Sequence, residues 1–389
     1  MDFIPYGKQD IDQNDIDSVV EVLHSDFLTQ GPKVPVFENS ITSFTDAKYA
    51  VAVNSATSAL HISCLALELS SGDILWTSPN TFVASANCGL YCGADVDFVD
   101  IDPKTYNMCP KKLEKKLIAA EALNRLPKIV VVVHLAGQSC DMQLIGELAV
   151  KYGFKVIEDA SHAIGGYYQN SKIGGCYYSD IVVFSFHPVK IITTAEGGVA
   201  LTNNPDIATK LRLFQGHGIT RDEELMEGKS DGGWYYQQLE LGYNYRMTEL
   251  QAALGISQMK RLPDFVSARH KLANRYNELL ANLPIQLPYQ SPQTYSAMHL
   301  YIIRLKLDKI SKSHRQVFDE LRLCGLGVNL HYIPVHLHPY YKKMGFKYGE
   351  FPEAESYYQE AISIPIYSAM SLLQQDVVIK SLSKVIGGV

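Results

Sequence analysis

The chain has 389 residues, more than a single hydrophobic core usually serves, so two lobes are predicted. Hydrophobic residues make up 47% and charged residues 20%, the balance of a globular protein rather than a disordered or fibrous one. A net charge of -6 removes the electrostatic case for a nucleic-acid or anionic-membrane partner, although it leaves room for a local phosphate site.

Met1 to Asp10 lacks the basic and apolar regions of a secretory leader. No apolar run approaches the roughly 20 residues that cross a bilayer. The seven cysteines are scattered and form no C-x-x-C pair; Cys88 and Cys92 stand at helical spacing in an apolar segment. Free thiols in a reducing compartment are therefore expected, and with them a cytoplasmic location.

In chain order, a helix is predicted over residues 11–24, then a loop, both packed on the smaller lobe. From about residue 50 to 215, short apolar runs alternate with amphipathic segments. Strands are predicted at 49–53, 74–77, 96–100, 129–134, 156–159, 181–186 and 198–202, with helices at 58–69, 83–92, 110–122 and 142–152. That alternation predicts an α/β fold, a mostly parallel sheet between helices. Beyond Leu241 the pattern changes. Helices at 248–259 and 269–283 are predicted on either side of a break at Pro263. A strand at 300–307, a helix at 314–324, a strand at 327–331 and helices from Glu353 and Leu372 complete a smaller α+β lobe. The division is drawn at 1–250, an N-terminal arm with the large lobe, and 251–389, the small lobe. Trp76 and Trp234 are read as packing residues.

Ligands of open α/β sheets bind beyond the carboxyl ends of the strands, and several polar residues fall there. Asn54-Ser55-Ala56-Thr57-Ser58 opens a helix after the first strand; its small residues suit a phosphate, and equally an ordinary N-cap. Asp159 ends the strand Lys155-Val156-Ile157-Glu158-Asp159, where a carboxylate can pair with a protonated pyridine nitrogen or cap the next helix. Glu158 faces the other way by the period-two rule. Phe184-Ser185-Phe186-His187-Pro188-Val189-Lys190 runs from a strand into a turn and on to Gly197-Gly198. A lysine so placed suits a Schiff-base nucleophile. His187 reads equally as the donor or acceptor of one core hydrogen bond.

These segments, with S-P-N-T-F-V-A-S-A-N at 78–87, E-D-A-S-H-A at 158–163 and G-Y-N-Y-R-M-T-E at 242–249, resemble the DegT/DnrJ/EryC1/StrS family. Its members are sugar aminotransferases of the pyridoxal-5′-phosphate (PLP) fold type I, and the resemblance runs essentially the whole length. It implies PLP as cofactor and Lys190 as the catalytic residue bound to it. It further implies Asp159 at the ring nitrogen, His162 near the ring hydroxyl, Phe82 stacked on the ring, and Ala56, Thr57 and Ser185 on the phosphate. Asn244 would reach the phosphate in a neighbouring copy, making a homodimer with shared sites.

Within the family, I-P-Y-G-K-Q-D-I-D at the N-terminus, S-D-F-L-T-Q-G-P at 25–32 and N-L-H-Y-I-P-V-H at 329–336 resemble the branch that serves pseudaminic acid biosynthesis. The substrates implied are L-glutamate and a UDP-linked 4-keto-6-deoxy sugar. Tyr6, the run Asp26, Phe27, Leu28 and Thr29, and the run Leu330, His331, Tyr332 and Ile333 would touch the nucleotide-sugar. Related 3- and 4-aminotransferases share such segments and stay open as alternatives. A dehydratase of the family would carry histidine in place of Lys190, and a non-catalytic PLP-binding regulator would not need Lys190, Asp159 and Ser185 together. His331, His336 and His338 lack acidic neighbours at ligand spacing and are read as pocket and surface residues rather than metal ligands.

Overall fold

A computed structural model describes residues 3–387; Met1, Asp2, Gly388 and Val389 lie outside the described residues. The central element is a seven-stranded sheet. Its strands are β1 (Tyr49–Val53), β2 (Ile74–Thr77), β3 (Asp95–Phe98), β4 (Ile129–Val133), β5 (Lys155–Asp159), β6 (Ile181–Ser185) and β7 (Gly198–Thr202), in the spatial order β1-β7-β6-β5-β4-β2-β3. Five adjacent strands, β3 to β6 in space, run parallel, and β7 alone is antiparallel to both its neighbours, β1 and β6. Strands β4, β6 and β7 are buried throughout, which is why they read as unbroken apolar runs rather than alternating ones.

Helices α1 (Gln13–Leu23) and α2 (Lys33–Thr45) precede the sheet. α3 (Ala56–Ala66), α4 (Ala84–Tyr91), α5 (Pro110–Ala122), α6 (Met142–Tyr152) and α7 (Pro205–Gln215) cover it. The long α8 (Glu249–Leu279) then leads to a smaller antiparallel sheet of Ile285–Gln286, Tyr301–Leu305 and Ala361–Ile364. Helices α9 (His314–Leu323), α10 (Pro339–Lys343), α11 (Pro352–Glu360) and α12 (Leu372–Ile386) complete the chain. This is the α/β architecture expected from the alternation, a mainly parallel sheet with an α+β part after it.

Four expectations need correction. The segment after α1 is not a loop: Lys33–Thr45 is helical, and its first N–H groups are met by a residue more than 200 positions away. The buried Glu249 carboxylate accepts from Lys33 N at 2.6 Å and from Val34 N at 3.2 Å. No Ser, Thr, Asp or Asn caps this helix, so the local signal was missing. Second, α8 is continuous through Pro263. Leu262, Phe265 and Val266 bury the turn around the proline in one core, and Leu272, Ala273 and Tyr276 bury the far half in another. That packing outweighs a proline cost of about 3 kcal/mol. Third, residues 327–331 are not a continuous strand: Leu326–Gly327 pairs in parallel with Ile4–Pro5, and Asn329 forms an isolated antiparallel bridge with Ser363. The N-terminal stretch is thus tied to the second sheet region at Ile4, while α1 and α2 lie along α8. Fourth, Trp76 is buried as expected, but Trp234 is 75% exposed and packs no core.

Replacing Glu249 by alanine strips the only side-chain cap from α2. The expected loss is about 2 kcal/mol, the upper end for a cap, read as a lower denaturation midpoint. An unchanged midpoint would refute the capping role.

Candidate active site

The sheet register gathers the polar residues. Val133 of β4 stands beside Asp159 of β5, and Asp159 beside Val183 of β6. Two residues on, Ser185 faces Gly198 of β7, and Gly198 faces Val53 at the end of β1. The carboxyl ends of β1, β4, β5 and β6 thus share one edge with the start of β7, and a cavity of about 520 Å³ opens there.

At one side of the cavity α3 begins. Ser55 caps it, its Oγ accepting from Ser58 N at 3.1 Å, so the N-cap reading of this segment holds. The next two residues, Ala56 and Thr57, line the cavity, and their N–H groups, the first of the helix, meet no acceptor among the described residues. Gly198 lets this turn lie against β7: a Cβ there would sit 2.5 Å from Ala56 N and 2.6 Å from Ser55 O. Ser185 lies across from it with its hydroxyl unpaired among the described residues. Free N–H groups, a free hydroxyl and a helix N-terminus make a cradle for a phosphate.

On the opposite side stands Asp159, 6% exposed. Its Oδ2 accepts from Ser85 Oγ at 2.6 Å, and its Oδ1 from Ser161 Oγ at 2.5 Å and Ser161 N at 3.2 Å. Glu158 points away, to His134 Nε2 at 2.7 Å and Ser179 Oγ at 2.5 Å, as the strand period requires. Lys190 lines the cavity between these two sides. Burial brings its amine down to about 8, with Asp159 pulling the other way. His162 is pushed well below the usual histidine range, first by burial and then by Lys190. The neutral ring accepts from Ala136 N at 3.3 Å through Nδ1, and its Nε2 lies 3.2 Å from the Tyr332 hydroxyl. Phe82 lines the cavity with 57% of its surface exposed, its ring 6.1 Å from that of Tyr332.

Amine, carboxylate, phosphate cradle and exposed aromatic face surround one cavity of suitable size. They fit a phosphorylated pyridine aldehyde such as PLP.

Of the residues singled out in the sequence, Tyr6, Ala56, Thr57, Phe82, Asp159, His162, Ser185, Lys190, Leu330, His331 and Tyr332 line this cavity. Asp26, Phe27, Leu28 and Thr29 do not; they are exposed beside the start of α8, where Leu28 O accepts from Glu249 N at 3.0 Å. Ile333 points outward, and Asn244 pairs with Gly216 in an isolated bridge. His187 is not a core residue: it is exposed at the cavity. His336 is neither pocket nor surface but fully buried, with Nε2 2.9 Å from Glu355 Oε1. The sequence reading missed His299, whose ring lies 4.3 Å from that of His162, and the hydroxyls of Thr81 and Ser85. A faint signal for the last two existed in T-F-V-A-S, where positions four apart share a helical face.

The fold and this site define a PLP-dependent aminotransferase. The model of the DegT/DnrJ/EryC1/StrS aminotransferase family matches residues 9–383, and the chain belongs to that family. It is 36% identical over 373 residues to the UDP-4-amino-4,6-dideoxy-N-acetyl-beta-L-altrosamine transaminase of Campylobacter jejuni serotype O:2, covering 95% of this chain and 94% of the relative. It is 38% identical to the spore coat polysaccharide biosynthesis protein SpsC of Bacillus subtilis, covering 99% and 98%. Among solved structures, the Helicobacter pylori aminotransferase PseC, involved in pseudoaminic acid biosynthesis, superposes with a TM-score of 0.90 at 30% identity over 100% of both chains. The PLP form of a putative sugar aminotransferase from Streptococcus pneumoniae gives 0.88 at 28% identity over 98% of both. The protein is a sugar aminotransferase.

The lowered Lys190 amine has a kinetic consequence. An amine reacts only when neutral, so acylation of Lys190 in cofactor-free protein rises with pH through a midpoint near 8, well below the ordinary lysine value of about 10.4. Peptide mass spectrometry reads this site by site. A midpoint at the ordinary value would show that the pocket does not perturb Lys190.

Proposed function

We propose that the protein moves the amino group of L-glutamate to C4 of UDP-2-acetamido-2,6-dideoxy-β-L-arabino-hex-4-ulose, giving UDP-4-amino-4,6-dideoxy-N-acetyl-β-L-altrosamine. The observation that carries the reading is the meeting of Lys190, Asp159 and the start of α3 around one cavity. The likeness to the Campylobacter transaminase supports the substrate.

Bound PLP supplies an electron sink that takes the amino group from one substrate and hands it to the other. Lys190 would hold the cofactor through Nζ, and its amine, lowered to about 8 by burial, would serve as the group that moves the proton. Positioned proton transfer of this kind is typically worth about 10²- to 10⁴-fold. Asp159 would offer a carboxylate oxygen to the ring nitrogen, and His162 would serve the ring hydroxyl. Ala56, Thr57 and Ser185 would take the phosphate, and Phe82 would cover the ring face and keep water off it. Tyr6, Leu330, His331 and Tyr332 form the wall nearest the sugar. His331 is held there by Ser363 Oγ, 2.8 Å from its Nδ1, and burial lowers it to about 3, so it enters the chemistry as a neutral ring.

Among the described residues, Lys190 is the only lysine or arginine on the cavity wall. A UDP diphosphate needs more positive charge than one amine already committed to the cofactor. A second copy of the chain supplies what is missing in this reading, and Asn244 and the exposed run Asp26–Thr29 act only through it. The seven cysteines are free thiols, which supports a reducing, cytoplasmic setting.

The test is direct. Enzyme with PLP and L-glutamate releases 2-oxoglutarate, and adding the UDP-4-ketosugar yields the aminosugar, both read by mass spectrometry. Lys190→Ala keeps the fold and loses both half-reactions; near-normal turnover would end the lysine assignment. The 38% identity to the spore coat protein supports a second reading, amination of another nucleotide-linked ketosugar. A panel of UDP- and dTDP-ketosugars separates the two by which substrate turns over. Asn244→Ala is expected to loosen PLP by about tenfold without altering α3, as judged by dialysis and visible absorbance. Full retention of PLP, or full activity in a monomer, would refute the shared site.

A further inference from the structure

Asp159 is held by more than its own strand, and the order of its hydrogen bonds can be deduced. Ser85 Oγ donates to Asp159 Oδ2 at 2.6 Å. A serine hydroxyl has a single proton, and an ionised carboxylate has none to give. Ser85 has therefore spent its proton, and Thr81 Oγ1, 2.8 Å from Ser85 Oγ, must donate to it. The direction runs Thr81 to Ser85 to Asp159. On the other oxygen, Ser161 gives both its hydroxyl and its N–H. A carboxylate has about four acceptor positions. Oδ1 is filled by two donors and Oδ2 by one, so one position on Oδ2 remains. Asp159 and Thr81 both line the cavity.

We propose that the Thr81–Ser85 hydroxyl chain is a positioning device that aims this last acceptor position at the ring nitrogen of the cofactor, with Ser85 the residue that sets how firmly that nitrogen keeps its proton. The inference rests on the reading of Asp159 given above. The segment Thr81-Phe82-Val83-Ala84-Ser85 serves two ends in one turn. Thr81, just before α4, and Ser85, in its first turn, are 2% and 0% exposed and lie 2.8 Å apart through their hydroxyls, with Ser85 reaching a strand end 74 residues away. Phe82, between them, lines the same cavity and is 57% exposed. Both side chains are buried, so a variant that lacks one hydroxyl leaves its partner short of a donor.

Positioning and mere filling of the core make different predictions. With Asp159 less well aimed, the ring nitrogen carries less positive charge and withdraws fewer electrons. The proton at Lys190 Nζ is then held more tightly, and the pH midpoint of the visible absorption band of the PLP-loaded enzyme moves up. Ser85→Ala is expected to raise that midpoint by about half a unit or more. It should also lower kcat for L-glutamate about tenfold with little change in KM, the mark of an interaction that matters in the transition state. Ser85→Thr, which restores the hydroxyl, returns both values towards wild type. Thr81→Val shifts the midpoint in the same direction by less, and serves as the measurement if Ser85→Ala does not fold. A Ser85→Ala enzyme with the wild-type midpoint and kcat, whatever its melting temperature, overturns the proposal. Wild-type protein that gains no visible band with PLP overturns the reading of the site itself, and is told apart from the first failure by the absence of the band in every variant.

Discussion

The site depends on strand register at the carboxyl edge of the large sheet. Val133, Asp159 and Val183 form one row across β4, β5 and β6, while Ser185, Gly198 and Val53 form another across β6, β7 and β1. A slip of one residue in β5 would exchange Asp159 for Glu158 at the cavity, because successive side chains face opposite sides. The slip is forbidden on both faces. Glu158 is tied to His134 and Ser179 in the interior, and Val156 and Ile157 are sunk into two different apolar cores. The catalytic geometry is therefore held by ordinary core packing some distance from the chemistry.

The antiparallel strand β7 adds what a wholly parallel sheet lacks. It starts at the edge where its neighbours end, and it starts with a glycine. Because no Cβ stands at Gly198, the turn from β1 into α3 settles directly on it, and the free N–H groups of Ala56 and Thr57 face the cavity. The same strand brings back the chain that carries Lys190, five residues past the end of β6. Amine and phosphate cradle are thus placed by one hairpin-like return, while the carboxylate comes from the next strand over. Two independent elements thus hold the two ends of the cavity.

Much of this was legible in the sequence, and what was not shares one cause. The strands β1, β2 and β7 fall where the apolar runs placed them, because burial on both faces writes itself into composition. Lys190, Asp159 and Ser185 were found because each ends or follows such a run. Helix α2 was lost because its cap, Glu249, lies outside any local window, and the proline at 263 misled because the packing that overrides it is equally remote. The motif T-F-V-A-S was noticed for Phe82, but its hydroxyls acquire meaning only opposite Asp159, 74 residues on. His299 arrives beside His162 from the far side of α8. Local pattern reports what a segment is; it carries no record of which distant group a side chain will meet.

The electrostatics of the cavity follow from the same division of labour. Lys190, His162, His299 and His331 crowd one region, and burial drives each towards its neutral form. Each charge added there would raise the cost of the next, so the histidines stay uncharged and leave the amine as the group closest to its titration point. Two carboxylates, Asp159 and Glu196, line the same cavity, and Asp159 accepts from three protein donors. Three donors hold the two oxygens of Asp159 and leave one acceptor position on Oδ2, so the carboxylate cannot wander towards the amine and neutralise it as a simple ion pair. In the proposed reading, the serines that hold Asp159 thereby also protect the reactivity of Lys190: they would keep the carboxylate aimed at the ring nitrogen and leave the amine free to move protons.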